Sequence, residues 1–219
     1  MPEGFHPPLE EYLEAIHELG EEGIVVIQAR LAERLGHSAP AVSEMIRRLR
    51  DEGYVEVRGR SVVLTGRGRS KAESVVRKHR LAERLLTDII GLPWEKAHVE
   101  AGRWEHVISD EVEALLVERL GHPTTCPHGN PIPGSGAPAT GAVVLAGRAL
   151  GDHVRLERVT EMVELDQELL SYLSAHGFVP GTEATVTSRA PDGTLTLDLG
   201  ARTIALGPSL TQQIFVSAA

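Results

Sequence analysis

The residues with the clearest chemistry lie between positions 79 and 106. His79 and Glu83 stand four apart in KHRLAERLL, and His98, Glu105 and His106 follow in EKAHVEAGRWEHVISDE. On a helix, positions 98, 102, 105 and 106 fall within roughly a 100° arc, because side chains three, four and seven apart share a face. Two helices would each present a His/Glu cluster. Imidazole and carboxylate together suit divalent transition metals. A basic segment upstream reads as a winged helix-turn-helix, so a metal site is joined to a DNA reader. Surface charge on exposed helices is the plain alternative for any one of these histidines.

The elements that must position these residues follow from periodicity and punctuation. Leu9, Tyr12, Leu13, Ile16 and Leu19 recur at helical spacing over 8–19, with Gly20 and Gly23 as stops. A short helix over 26–35 ends at Gly36. Ser38 is a suitable N-cap, and Pro40 is tolerated in the first turn of the next helix, which carries Val42, Met45, Ile46 and Leu49. Residues 54–64 read as a hairpin wing around Arg58-Gly59-Arg60. A long helix is expected from Thr65 to about Ile90, and another from Leu92-Pro93 to about Leu120. Residues 121–147, rich in Pro and Gly, read as a semi-extended linker. Short apolar runs after 150, the Asp192-Gly193 hairpin signal and one helix over 166–176 describe a small, mostly β, SH3-like domain. The expected units are 1–73 (winged helix-turn-helix), 74–122 (helical metal-binding and dimerisation domain), 123–148 (linker) and 149–219 (β domain).

Composition sets bounds. The 219 residues, 42% hydrophobic and 24% charged, suffice for two domains with cores. No apolar run reaches the roughly 18 residues of a membrane span, and the N-terminus lacks the apolar core of a signal peptide. The single cysteine, Cys126, rules out an internal disulfide and fits a cytoplasmic protein. Net charge is −9, yet residues 47–80 hold eleven basic against four acidic residues, a local charge of +7, so the remainder carries −16. Such a patch is the footprint of phosphate binding.

On the segments RKHRLAERLLTDIIGLPWEKAHVEA, RWEHVISDEVE and CPHGNPIPG, the chain resembles the diphtheria toxin repressor family of iron- and manganese-dependent regulators, over nearly its whole length. The resemblance implies a homodimer whose N-terminal helix is ordered by metal, so that both winged helices grip a palindromic operator, and an SH3-like C-terminal domain. It implies an ancillary metal site on His79, Glu83 and His98, completed by Glu164 and Gln167. It implies a primary site on Glu105 and His106, with a first-helix ligand and one from position 102. Here the chain departs from the pattern. Glu11 stands where iron regulators have Met and manganese ones Asp, and Gly102 where they have Cys or Glu. Glu14 matches a second first-helix carboxylate of the manganese branch.

That primary set is rich in oxygen and has no sulfur. Hard donors favour manganese first and ferrous iron second, while zinc or cobalt can bind in vitro through the Irving–Williams order. His122, Cys126 and His128 have irregular spacing in a Pro-rich segment and are expected to be linker residues. Ser38, Pro40 and Ser43 stand where the family touches DNA, and Glu44 replaces a groove-facing Gln. Arg30, Arg47, Arg48, Arg50 and the wing residues Arg58 and Arg60 are expected phosphate contacts. Two rivals exist: a winged-helix protein whose metal is structural, and a dinuclear metallohydrolase. The second needs an open position and a general base, and HExxH, nucleophile-elbow and phosphate-loop motifs do not occur. No enzymatic activity, membrane partner or small organic substrate is expected.

Overall fold

The structure, a computed structural model, describes residues 8–138 and 141–219. Helix α1 (Pro8–Glu21) buries Tyr12, Leu13, Ile16 and Leu19 along one face. It packs on α2 (Gln28–Leu35), which packs in turn on α3 (Ala39–Asp51), whose Val42, Ile46 and Leu49 complete the same core. Ser38 caps α3, its Oγ accepting from Ala41 N at 3.4 Å, with Pro40 in the first turn. Helix α2 starts later than the sequence suggests. Val26 and Ile27 are extended instead, and Val62 N donates to Val26 O at 2.9 Å. The β-branched pair joins the wing rather than the helix.

The wing is β1 (Val55–Arg58) paired antiparallel with β2 (Ser61–Leu64), turning at Gly59-Arg60. Thr65 caps α4 (Gly66–Arg84), accepting from Gly68 N at 3.0 Å and donating to Gly53 O at 2.7 Å. Beyond Arg84 the helix widens into a π-helical turn over Leu85–Ile90, closed by Gly91.

The single helix expected from 93 to 120 is two. Helix α5 (Trp94–Ala101) stops at Gly102, residues 102–107 form successive turns, and Ser109 caps α6 (Asp110–Arg119) by accepting from Val112 N at 3.2 Å. Glycine supplies the weak helix position and serine the new start.

The expected linker is likewise structured over its first part. A bridge joins Thr125 and Pro131, and Cys126, His128, Asn130 and Ile132 are buried. Its carbonyls are taken by side chains of the helical part: Arg84 Nε donates to Thr125 O at 2.7 Å, Trp94 Nε1 to Pro127 O at 3.0 Å, and Arg80 Nη1 to Pro131 O at 2.5 Å. Gly129, at φ 92°, lets this loop pass β4, since a Cβ there would sit 1.9 Å from Glu157 O.

The C-terminal part is a six-stranded antiparallel sheet in the order β3-β8-β4-β5-β6-β7. Its strands are β3 (Val143–Val144), β4 (His153–Val159), β5 (Glu183–Arg189), β6 (Leu195–Asp198), β7 (Thr203–Leu206) and β8 (Ile214–Ala218). Alternating residues such as Val154, Leu156, Leu195 and Leu197 face a core shared with Leu170, Leu173 and Phe178. Between β4 and β5 lie α7 (Glu161–Glu164), which periodicity does not reveal, and α8 (Gln167–His176), capped by Asp166. A last short helix, α9 (Pro208–Thr211), precedes β8. Trp94 of α5 packs against this core, so the β domain leans on the helical part.

Candidate metal centre

Six segments converge, α1 among them through Glu14. Helix α4 brings His79 and Glu83, one turn apart on its buried face, and α5 brings buried His98. The turn after α5 presents Glu105 and His106, with Trp104 N and Glu105 N both donating to Ala101 O at 2.8 and 3.1 Å. The loop of 126–130 brings Cys126 and His128, and α7 brings Glu161 and Glu164. Helical spacing predicts 98, 102, 105 and 106 on one face of a single helix. Glu105 and His106 instead reach the centre through turns that follow Gly102.

One donor group is Glu14, His79 and Glu105, whose ligand atoms lie within 4.8 Å of one another. His79 Nδ1 is hydrogen-bonded to Glu105. The group opens into a cleft of 330 Å³ lined also by Glu11, Glu18, Gly102 and Glu161. His106 faces a different first-helix acid from the one expected: its Nδ1 lies 2.6 Å from Glu10 Oε2, and its Nε2 lies 3.0 Å from Glu105 Oε1. Glu10 is further tied to Lys71 at 2.5 Å.

A second collection surrounds Glu83. Its Oε1 lies 3.3 Å from His79 Nε2 and from His98 Nδ1, and 3.2 Å from His128 Nδ1. Glu164 Oε2 lies 3.2 Å from both His98 Nδ1 and His128 Nδ1. Glu161 Oε1 is 2.8 Å from His98 Nε2. Cys126 joins Glu83, His128 and Glu164 as a fourth donor. Gln167 is exposed in the first turn of α8. The residue one turn before Glu164 in α7 is Glu161, and its three-residue spacing from Glu164 was the one weak signal for it. Cys126 and His128 were read as linker residues, but the loop folds inward and buries both, while His122 stays exposed.

The electrostatics are those of a cation site. Burial and the neighbouring Glu105 carboxylate push Glu14 up to about 8. Burial opposes charge on Glu83, but His128, His79 and His98 hold its carboxyl well below the usual range. Burial likewise opposes charge on His79, His98 and His128, yet the facing carboxylates raise all three well above the ordinary imidazole value. The Cys126 thiol is pushed up to about 11 by burial and by Glu83 and Glu164. Buried Glu83 Oε2 has no hydrogen-bond partner. An excess of buried carboxylates, imidazoles interleaved with them and an orphaned oxygen fit a divalent metal.

On α2, α3 and the wing, Arg30, Ser38, Pro40, Ser43, Glu44, Arg47, Arg48, Arg50, Arg58 and Arg60 are all exposed. Pro40, Ser43, Arg47, Arg50 and the wing's Val57 line one groove. The basic window is not a single surface. Lys71, Arg77, Lys78 and Arg80 pair with Glu10, Glu113, Asp110 and Glu21, which leaves the stretch from Arg47 to Arg69 to face outward.

Residues 5–63 match the family model for the iron dependent repressor N-terminal DNA binding domain. Residues 65–134 match its metal binding and dimerisation domain, and residues 143–218 match the FeoA domain. The iron-dependent repressor IdeR of Mycobacterium tuberculosis is 45% identical over 200 residues, 86% of each chain. The diphtheria toxin repressor of Corynebacterium diphtheriae is 41% identical over 215 residues, 94% of each. Among solved structures, a manganese-dependent transcriptional repressor in complex with manganese superposes with TM-score 0.86 at 33% identity, covering 96% of this chain and 100% of that one. ScaR with bound Zn2+ gives 0.81 at 28%, covering 97% and 100%. With a winged DNA-binding head, a helical metal-ligand centre and an SH3-like β domain in this order, the chain belongs to the iron-dependent repressor family.

Proposed function

We propose that this chain is a cytoplasmic, homodimeric transcription repressor of metal-homeostasis genes, activated by manganese and secondarily by ferrous iron, that binds a palindromic operator. The observation that carries the metal-gated part is the junction of Glu14, on the first helix of the DNA-binding head, with His79 and Glu105 of the helical domain. Glu14, His79 and Glu105 would hold the metal, which would supply positive charge to offset these carboxylates. Glu11 and Gly102 line the same cleft; with the Gly102 carbonyl as a donor they would complete an oxygen-rich set, which favours manganese. His106 orients Glu105 and is itself held by Glu10. The second site is assigned to Glu83, His98, Cys126, His128 and Glu164, with His79 shared with the first site and Glu161 at its edge.

Dimerisation is supported by exposed apolar side chains on the π-helical turn (Ile89, Ile90), the turns before α6 (Val107) and α6 itself (Val112, Leu115). Helix α6 buries none of its residues, so an apolar strip there calls for a second copy. The ten exposed head residues are assigned to DNA, arginines to phosphates and the N-terminal part of α3 to the major groove. No helix among the described residues is long and apolar enough to cross a membrane.

The test is operator affinity measured by fluorescence anisotropy with manganese and with chelator. Binding is expected to need metal and to fall steeply with salt as counterions are released. Equal affinity in both conditions would sink metal activation and favour the structural-metal reading.

A further inference from the structure

Helix α3 carries one acid on its outward crest. Two surface grooves flank the helix: one bounded by Pro40, Ser43 and Val57, the other by Ala41, Asp51 and Glu52. Only Glu44 and Arg47 line both, so these two side chains stand on the ridge between them. The other acids of α3 and the wing are each neutralised by an adjacent arginine. Glu52 is 2.7 Å from Arg48, Asp51 2.9 Å from Arg50, and Glu56 2.8 Å from Arg58. Glu44 is exposed and has no such pair among the described residues, although Arg47 and Arg48 lie three and four positions on, where helical partners meet.

An unpaired carboxylate on a surface that must approach a polyanion is repelled by every phosphate. It is tolerated where the nucleic acid offers it a hydrogen-bond donor. In the major groove, guanine (N7, O6) and thymine (O4) present only acceptors. Adenine offers the N6 amine, but its N7 lone pair sits beside that amine and repels the second carboxylate oxygen. Cytosine offers the N4 amine with a carbon-bound hydrogen as neighbour. We propose that Glu44 is a specificity-determining residue that selects a cytosine in each operator half-site through the N4 amine. This assignment rests on the reading of the chain as a DNA-binding repressor.

The experiment is selection from a randomised duplex library with manganese, using the full-length chain, Glu44→Gln and Glu44→Ala. The unaltered protein is expected to enrich one fixed C·G pair per half-site. Glu44→Gln is expected to enrich A·T there, because an amide can pair with both N6 and N7 of adenine. Glu44→Ala is expected to show no preference at that position. On the selected duplex, replacing that C·G by T·A should weaken the unaltered protein roughly tenfold and Glu44→Ala less than about twofold. The same base enriched at every position by all three proteins, or an undiminished penalty in Glu44→Ala, overturns the assignment. No metal-dependent enrichment of any sequence by the unaltered protein overturns the repressor reading itself, and this assignment with it.

Discussion

His79 Nε2 lies 3.0 Å from His98 Nδ1, while the other nitrogen of the same ring meets the Glu105 carboxylate. One imidazole therefore belongs to both donor groups: to Glu14 and Glu105 on one side, and to Glu83 and His98 on the other. The two sites share a wall, so loss of that ring reaches further than loss of a ligand private to either.

Truncation of the shared ring separates this arrangement from two independent sites. His79→Ala is expected to weaken both manganese-binding events in calorimetry and to remove metal-dependent operator binding. Glu164→Ala, confined to the second group, is expected to weaken one event and raise the metal concentration needed. If His79→Ala leaves one event at full affinity, the shared-wall arrangement is wrong.

Much of this centre was legible in the sequence, though partly by the wrong route. His79 and Glu83 are four apart on a real helix, and periodicity found them directly. Glu105 and His106 were placed by the same periodicity, but Gly102 and the Ser109 cap break the helix, and turns deliver them. The Cys126–Asn130 loop was illegible because Pro and Gly content suggests an extended chain. Its order comes from Arg80, Arg84 and Trp94, which are distant in sequence and claim its carbonyls. Glu161 was hidden because a four-residue helix shows no periodicity of its own. The β domain was readable strand by strand, since one face of each strand is buried and alternation follows.

The first-helix contribution can be apportioned among its acids. Glu14 shares a donor group with His79 and Glu105, Glu11 lines the cleft wall, and Glu10 holds His106. Glu14→Gln is expected to reduce metal-dependent operator affinity at least about tenfold, as loss of one charged donor from a buried site removes a partner for the others. Gln167→Ala, exposed on α8, is expected to stay within about twofold on the same scale. Anisotropy titrations against manganese decide between them, and a null effect at Glu14 would move the gate to Glu11 or Glu10.

Gly102 offers an engineering handle. A Cβ there would meet only His98 O at 3.8 Å and Val99 O at 3.9 Å, so a side chain fits without displacement. Gly102→Cys adds a thiol to the oxygen-rich cleft. Softer donors favour later metals, so activation is expected to shift toward ferrous iron and zinc relative to manganese. Unchanged metal selectivity in anaerobic titrations would show that position 102 does not reach the bound ion.

Metal uptake should release protons. Without metal, His79, His98 and His128 are held protonated at neutral pH by their carboxylates, and Glu14 retains its proton up to about 8. Ligation needs neutral imidazole and ionised carboxylate, so metal affinity is expected to rise as pH increases through neutrality to about 8 and beyond. Calorimetry in two buffers of different ionisation enthalpy reads the protons directly. Identical heats in both buffers would contradict these protonation states.

Acid stability should depend on a pair outside the metal centre. Arg80 on α4 holds Glu21 at the end of α1 through contacts of 2.6 and 3.1 Å, and also donates to Pro131 O, tying head, helical domain and loop together. Burial opposes charge on Glu21, but Arg80 and a hydrogen bond from His17 bring its carboxyl down to about 2. A folded-state value below the unfolded one means the stabilisation is complete above the unfolded value, near 4.5, and is lost as pH falls through the folded value, near 2. The difference corresponds to at most about 3 kcal/mol, less what solvent screening removes from a partly exposed group. Glu21→Gln is therefore expected to lower the unfolding free energy of the metal-free protein at pH 7 by about 1–3 kcal/mol and to flatten its decline below about pH 5. Urea unfolding at a series of pH values compares the two proteins, and the difference cancels the other acids of the metal centre. Parallel pH profiles for the two would show that Arg80 and Glu21 contribute no linked stability.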